Sequence, residues 1–378
     1  MKIAIIGIRG IPVVYSAFET FAERLGIDLA KKRWNVTIYC RSKYVNRKKK
    51  AYKGVCLIVL PSLESKNLST LSHTFLSTLH ACFFSHPEVI LYLGVGNTPF
   101  SLLPRLFSIK TVVNINGMDW RRKKWGIFGK LYLQLSEFLT KVFPNAVITD
   151  SRYMENYYKK KYKKAPIYIP YGYFEIKKGK ASPMLKKYGL KKEKYFVWVG
   201  RFVPENYLEE FVSAFKELSG NYKCVIIGDD LYESNYKRKI YEMANDARIV
   251  RTGFIPHELT LTLVKNSFAY IETKRSGGTH MTLVEAMGLG CFIISNNSNA
   301  NKRILGTDAL YYSSQRSLFL IFKKIINSYS RKEIQKFKVG VKRKAMENYR
   351  WEQIVKSYVA LLLNVSYNKV LTRHSSGF

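Results

Sequence analysis

Acidic residues are scarce in this chain: 27 Asp and Glu stand against 63 Lys and Arg over 378 residues, so the formal net charge is 63 − 27 = +36. An imbalance of that size concentrates polyanions, anionic lipid surfaces or phosphorylated substrates around the molecule. It says nothing about fold. Cysteine is sparse as well: Cys40, Cys56, Cys82, Cys224 and Cys291 include no Cys-x-x-Cys pair, and four of them lie in or beside apolar runs expected to be strands. They read as buried thiols in a reducing cytoplasm. Long apolar runs are missing too. Ile3 to Ile6 is too short for the core of a secretion signal, and the longest apolar region, near Ile90 to Phe107, is interrupted by Asn97, Pro99, Pro104 and Arg105. A spanning helix needs about 20 largely uncharged residues, so no membrane span is expected.

What is present is a core. With 47% hydrophobic and 14% aromatic residues, the chain can bury enough surface to offset the entropy of ordering, which excludes wholesale disorder. The length suggests two domains, at roughly 100 to 200 residues each. Three basic runs, Arg47 to Lys50, Arg121 to Lys124 and Lys159 to Lys164, fall in the first half. The first and third read as solvated faces. The second sits between Trp120 and Trp125 and leads into Ile127, Phe128, Leu131, Leu133 and Leu135, joining cations to apolar side chains as interfacial helices do. A peripheral contact with an anionic membrane surface is the expectation.

Short apolar runs recur at Ile3–Ile6, Val36–Tyr39, Val55–Leu60, Val89–Leu93, Thr111–Ile115, Ala146–Ile148 and Ile167–Ile169, most of them separated by segments of helical spacing. Nearly continuous Val and Ile runs imply strands buried on both faces, hence a parallel sheet covered by helices rather than hairpins. The rhythm lapses from Gly172 to Glu193 and restarts at Tyr195–Val199, followed by Lys223–Ile227, Arg248–Arg251, Phe268–Ile271, Cys291–Ser295 and Ala309–Tyr312. The expected architecture is α/β with two doubly wound Rossmann-like domains, residues 1–172 and 173–345, whose strand ends share a cleft. Residues 346–378 form a C-terminal helix, with Trp351, Ile354, Val355, Tyr358 and Leu361 on one apolar face, expected to cross back onto the first domain.

Three stretches carry chemistry. The first strand ends in Gly7-Ile8-Arg9-Gly10-Ile11-Pro12, where backbone amides at a helix start can approach an anion or the glycines serve turn geometry alone. Tyr195–Val199 is followed by Gly200-Arg201-Phe202-Val203-Pro204-Glu205-Asn206, which places an arginine fork at a strand's carboxyl edge. It suits a diphosphate or, equally, an exposed ion pair. In Ser276 to Gly290, two glycines and Thr279 form a loop and N-cap, with Glu285 about two turns into the helix. A carboxylate in an otherwise apolar turn needs a partner, either a ribose diol or an internal Lys or Arg. His280 contacts a ligand or is merely solvated.

Taken in order, Lys2–Pro12 with Tyr15 and Phe18-Glu19-Thr20, Asn114 to Trp120, Gly200 to Asn206, and Gly277-Gly278-Thr279 with Leu283 and Glu285 to Gly288 resemble the retaining GT-B glycosyltransferases of family four, in their rhamnosyltransferase-like branch. The resemblance spans nearly the whole chain. It implies an enzyme that transfers L-rhamnose from dTDP-β-L-rhamnose to a lipid-diphosphate-linked saccharide in capsule or cell-wall synthesis, without a catalytic metal or other cofactor. It further implies that Arg201 holds the donor diphosphate, that Glu285 holds the ribose, and that the amides of Gly278 and Thr279 hold sugar or phosphate beside His280. Gly228 with Asp229, and Arg251 through Thr252, Gly253, Phe254 and Ile255, would line the nucleotide pocket, with Gly10 on the donor from the first domain. Asn116 and Asp119 would stand at the transferred sugar.

This chain departs from the family in four places. Asn206 replaces a lysine, so one diphosphate charge must be met elsewhere, with Arg9, Lys274 or Arg275 available. Gly277 replaces the first glutamate of a pair, Ser16-Ala17 replaces two glycines, and His280-Met281 replaces Asn-Pro. Rival readings are a sugar-nucleotide epimerase of the same architecture and a basic nucleic-acid-binding protein. The second lacks zinc-finger spacing and an RNA-binding aromatic signature, so no nucleic-acid partner is expected.

Overall fold

The computed structural model describes residues 1–12, 16–65, 68–122, 125–175, 181–275 and 279–367. Tyr15, Gly277 and Gly278 of the motifs above, with Lys123 and Lys124 of the second basic run, lie outside them. The chain forms two compact units, one of Met1–Pro170 with Glu352–Phe378 and one of Tyr171–Trp351.

The first unit is built on an eight-stranded sheet: β1 (Lys2–Ile6), β2 (Asn35–Arg41), β3 (Ala51–Tyr52), β4 (Val55–Leu60), β5 (Val89–Leu93), β6 (Lys110–Ile115), β7 (Ala146–Thr149) and β8 (Ile167–Tyr168). Its order is β3-β4-β2-β1-β5-β6-β7-β8, and every pairing is parallel except β3 with β4. That two-residue hairpin corrects the expectation of a sheet without hairpins. It was hidden because two residues leave no periodicity to read. Cys56, on β4, is exposed and corrects the expectation of uniformly buried thiols, whereas Cys40, Cys82, Cys224 and Cys291 are buried. The third basic run also has a structural role. Lys161 donates to Glu137 at 2.9 Å, and that carboxylate, itself buried, accepts from Trp120, Tyr157 and Tyr162.

The second unit carries an all-parallel sheet of β9 (Tyr195–Val199), β10 (Lys223–Ile227), β11 (Ile249–Gly253), β12 (Ala269–Glu272), β13 (Ile293–Asn296) and β14 (Leu310–Tyr312), in the order β11-β10-β9-β12-β13-β14. Alternation along each strand sends side chains to opposite faces. Val197 and Val199 join Val225 and Ile227 in one buried cluster, while Phe196 and Trp198 join Cys224 and Ile226 in the other. Burial on both faces is the physical reason that these strands read as unbroken apolar runs.

The last helix, Trp351–Ser366, returns to the first unit. Its apolar stripe, Trp351, Ile354, Val355, Tyr358 and Leu361, is buried. Tyr358 packs on Phe21 with ring centroids 5.2 Å apart, and its hydroxyl accepts from Asn114 Nδ2 at 3.0 Å near the end of β6. Among the described residues no helix is long and apolar enough to cross a membrane. Replacing Tyr358 by Phe leaves the buried Asn114 amide without this acceptor and should cost about 1–2 kcal/mol. A thermal melt should show the lowered midpoint; an unchanged midpoint would mean that the bond contributes nothing.

Candidate functional site

Chain order in the second sheet runs outward from β9 to β11 on one side and from β12 to β14 on the other. The crevice of such a sheet opens at the carboxyl ends beside this reversal, between β9 and β12. On the β9 side of it, the ends of β9, β10 and β11 meet through their backbones. Gly200 N–H donates to Ile227 O at 3.0 Å, Gly228 N–H to Gly253 O at 3.0 Å, and Phe202 N–H to Asp229 O at 3.4 Å. Gly228 has φ +111°, and a Cβ on it would lie 2.1 Å from Gly200 O, so only glycine permits the approach.

Arg201 leaves β9 at this point. It is partly buried, its carbonyl accepts from Asn206 Nδ2 at 2.8 Å, and its guanidinium takes no hydrogen bond or ion pair among the described residues. Asn206, in the family's lysine position, therefore acts on the turn itself. A planar cation held without a counterion at the reversal is suited to a bidentate anion. On the neighbouring strand ends, Asp229 accepts from Tyr241 at 2.9 Å and lies 3.4 Å from Lys237 Nζ, while Arg251 stacks over the Tyr241 ring. Thr252 donates to Gly253 O at 2.9 Å, Phe254 is partly buried and Ile255 is buried in the core.

Across the reversal, Glu272 ends β12 with no exposed surface. It accepts from Lys274 N–H at 2.9 Å and lies 3.7 Å from Lys274 Nζ and 3.6 Å from His280 Nδ1. Burial alone would raise its pKa, but the Lys274 charge, His280 and the Lys274 amide outweigh burial and hold it down to about 2. Lys274 Nζ donates to Val199 O and Thr282 Oγ1, both at 3.1 Å, and so reaches from β12 to the end of β9. The Lys274 carbonyl accepts from Asn296 and Asn301 at 2.7 and 3.1 Å. Residues 272–275 and 279–282 are thus fastened to the same carboxylate and lysine.

The helix Met281–Gly288 follows. Its cap position belongs to His280 rather than Thr279, because the His280 carbonyl accepts from Leu283 and Val284 while Thr279 is buried beside it. Glu285 lies one turn into the helix, not two. Its partner is neither Lys nor Arg but His257, whose Nε2 stands 2.6 Å from Glu285 Oε1 and whose ring meets Phe174 edge-on at 5.8 Å. Sequence reasoning missed His257 and Glu272. The partner of His257 lies 28 residues away and Glu272 itself sits on a strand end, and neither position disturbs a periodic pattern.

In the first unit, Asn116 follows β6 and donates through Nδ2 to Asp150 Oδ2 at 3.2 Å. Burial pushes the Asp150 carboxyl well above the usual range. Asp119 instead pairs with Arg122 at 2.8 Å. Gly10 is buried at φ +140°, with Val45 and Cys40 where a Cβ would stand, which gives a packing reason for glycine there. Glu19 fixes the adjoining loop by accepting from Arg9 N–H at 3.0 Å and pairing with the Arg9 guanidinium at 3.6 Å. No group of three or more potential metal ligands gathers among the described residues.

Residues 183–314 match the family model described as glycosyl transferases group 1, and residues 89–173 match a domain of unknown function, DUF1972. The first of these matches lies wholly within the second unit. Similar solved structures include sucrose-phosphate synthase from Thermosynechococcus elongatus, at 16% identity and TM-score 0.79, covering 97% of this chain and 99% of that one. Anabaena Alr3699/HepE with UDP-glucose matches at 14% identity and TM-score 0.75 over 96% and 100%. The catalytic domain of Arabidopsis thaliana starch synthase IV, bound to ADP and acarbose, matches at 12% and 0.73 over 97% and 99%. At these identities the likeness is one of fold, and the fold is GT-B. No curated protein sequence matches the chain.

Glu272 supplies a test of the network around this site. Its pKa lies below the ordinary 4.5, so its contribution to stability is complete above that pH and is lost as pH falls toward 2. Between about pH 5 and about pH 2.5 the melting midpoint of the native protein should therefore fall more steeply than that of Glu272→Gln. Parallel curves would contradict the buried ion network.

Proposed function

We propose that this protein is a retaining glycosyltransferase whose second unit binds a nucleotide sugar at the carboxyl edge of its sheet. The observation that carries the reading is Arg201, a partly buried guanidinium without a counterion among the described residues, set at the strand-order reversal. Further support comes from the group 1 glycosyl transferase match over residues 183–314 and from fold neighbours whose structures hold UDP-glucose or ADP. The donor follows the sequence resemblance: L-rhamnose from dTDP-β-L-rhamnose, passed to a lipid-diphosphate-linked saccharide in cell-surface polysaccharide synthesis. Such an acceptor puts the enzyme on the cytoplasmic face of a membrane as a peripheral protein.

In this reading Arg201 grips the diphosphate, and Lys274 supplies the charge that the family takes from the position of Asn206. Of the two other candidates, Arg9 pairs with Glu19 in the first unit and Arg275 with Glu210 and the Tyr207 ring, whereas Lys274, though paired with Glu272, reaches Val199 O beside Arg201. Lys274 donates to two neutral oxygens at the reversal, and its countercharge, Glu272, is shared with His280. Glu285, oriented by His257, accepts from the ribose hydroxyls. The remaining roles follow the sequence resemblance: Gly278, Thr279 and His280 for the sugar or phosphate, Gly228 and residues 252–255 for the nucleotide, Gly10 for the donor, and Asn116 and Asp119 for the transferred sugar.

Transfer breaks the bond between the anomeric carbon and the leaving phosphate oxygen. Arg201 and Lys274 stabilise the negative charge that develops there. The acceptor oxygen forms its bond on the same face, and its proton passes to the departing phosphate, so no protein nucleophile is required.

A thermal-shift panel of dTDP-rhamnose, UDP-hexoses and GDP-mannose tests the reading, because a ligand specific to the native state raises the midpoint. One nucleotide sugar should raise it, with dTDP-rhamnose expected. Arg201→Ala and Lys274→Ala should each weaken that donor on the order of 10- to 100-fold, the worth of a charge-assisted hydrogen bond. Undiminished binding in both variants would remove the assignment, and donor turnover to an epimer without acceptor would replace transfer by epimerisation.

A further inference from the structure

The first unit exposes apolar side chains that its core does not use. In the helix Ile127–Leu139, Leu133, Ser136 and Glu137 face inward, whereas Ile127, Phe128, Leu131, Leu135 and Phe138 are exposed, Phe128 at 86%. Their spacing places them on one side of the helix, so its broad apolar stripe points away from the sheet. The exposed surface continues beyond this helix. Arg105 donates to Val142 O at 3.0 Å, which brings the segment Leu103–Phe107 and its exposed Leu106 alongside. Phe107 meets Phe83 edge-on at 4.9 Å, and the neighbouring Phe84 is 76% exposed.

Charge says what such a face would accept. Residues 68–142 hold eight Lys or Arg and three Asp or Glu. Of the three acids, Glu137 is buried, Asp119 is paired with Arg122, and Glu88 accepts from the backbone of Lys2. Arg105, Arg121, Lys130 and Lys141 are exposed around the apolar side chains. A second copy of this chain would bring the same cations against one another, since an isologous interface pairs like with like. An anionic bilayer would accept both features at once, apolar side chains below the headgroups and cations among them.

We infer that the exposed face of the helix Ile127–Leu139, continued by Leu106 and Phe84, is the surface by which this protein docks on anionic phospholipid. The inference deepens the proposed peripheral location and rests on the lipid-linked acceptor for its purpose, while its geometry is independent of the donor. Docking there would keep the first unit beside acceptors embedded in the bilayer.

Flotation of the full chain with vesicles tests it. The native protein should float with phosphatidylglycerol/phosphatidylcholine vesicles at moderate salt and far less with phosphatidylcholine alone. The Ile127→Ser/Phe128→Ser double variant should partition at least about 10-fold more weakly, and Lys130→Glu/Lys141→Glu similarly, each lost cation counting for about fivefold. Both variants should keep the donor-induced thermal shift, which shows that they fold. The inference is overturned if the native protein ignores the anionic vesicles, binds both vesicle types equally, or floats undiminished in both variants. It is equally overturned if sedimentation shows a native dimer that the apolar variant dissolves, which would assign the face to a second copy. A normal vesicle pattern with no response to any nucleotide sugar would support this surface and sink the donor reading instead.

Discussion

A carboxylate with no exposed surface, Glu272, organises the chemistry-bearing edge of the second unit. Buried charge is costly unless it is answered, and here Lys274 and His280 answer it from the two sides of a glycine pair. The strand end, the loop and the start of the helix Met281–Gly288 are thereby joined in one polar network that also includes Thr282, Asn296 and Asn301. Lys274 can reach Val199 O because Glu272 fixes its backbone, and Val199 immediately precedes Gly200 and Arg201. The placement of cations at the strand-order reversal therefore depends on an anion set one layer deeper.

The first unit shows a parallel arrangement. Glu137, also buried, gathers Trp120, Tyr157, Lys161 and Tyr162, and so ties the loop after β6 to two helices. The same helix that points Glu137 inward points Ile127, Phe128 and Leu131 outward. One element thus links the loop carrying Asn116 and Asp119 to the exposed apolar face.

The two parallel sheets were legible in the sequence because strands covered on both faces must be apolar throughout; Val89–Leu93 and Tyr195–Val199 have the bounds expected of them. The hairpin of β3 was not legible, since Ala51 and Tyr52 are too few to show alternation. Arg201 and Glu285 stood out as charged residues at a strand end and in an apolar helical turn. Their partners did not. His257 stands 28 residues from the Glu285 that it meets at 2.6 Å, and nothing in the local pattern marks Glu272, one residue past the expected strand Phe268–Ile271, as the buried centre of a network. Lys274 was one of three available cations, all of them paired with a carboxylate, and only its reach to Val199 O beside Arg201 singles it out. Cap geometry was misplaced by one residue because Thr279 and His280 both suit the turn, and burial of the threonine leaves the position to the histidine.

The central claim is that an activated sugar's diphosphate is held where β9, β10 and β12 end. Hydrogen–deuterium exchange with and without a donor that raises the melting midpoint measures this directly. The account predicts slowed exchange concentrated in residues 199–206, 227–230, 251–255 and 272–285. Protection confined to the opposite, amino-terminal edge of that sheet, or absent from all four segments while the donor is bound, would contradict it.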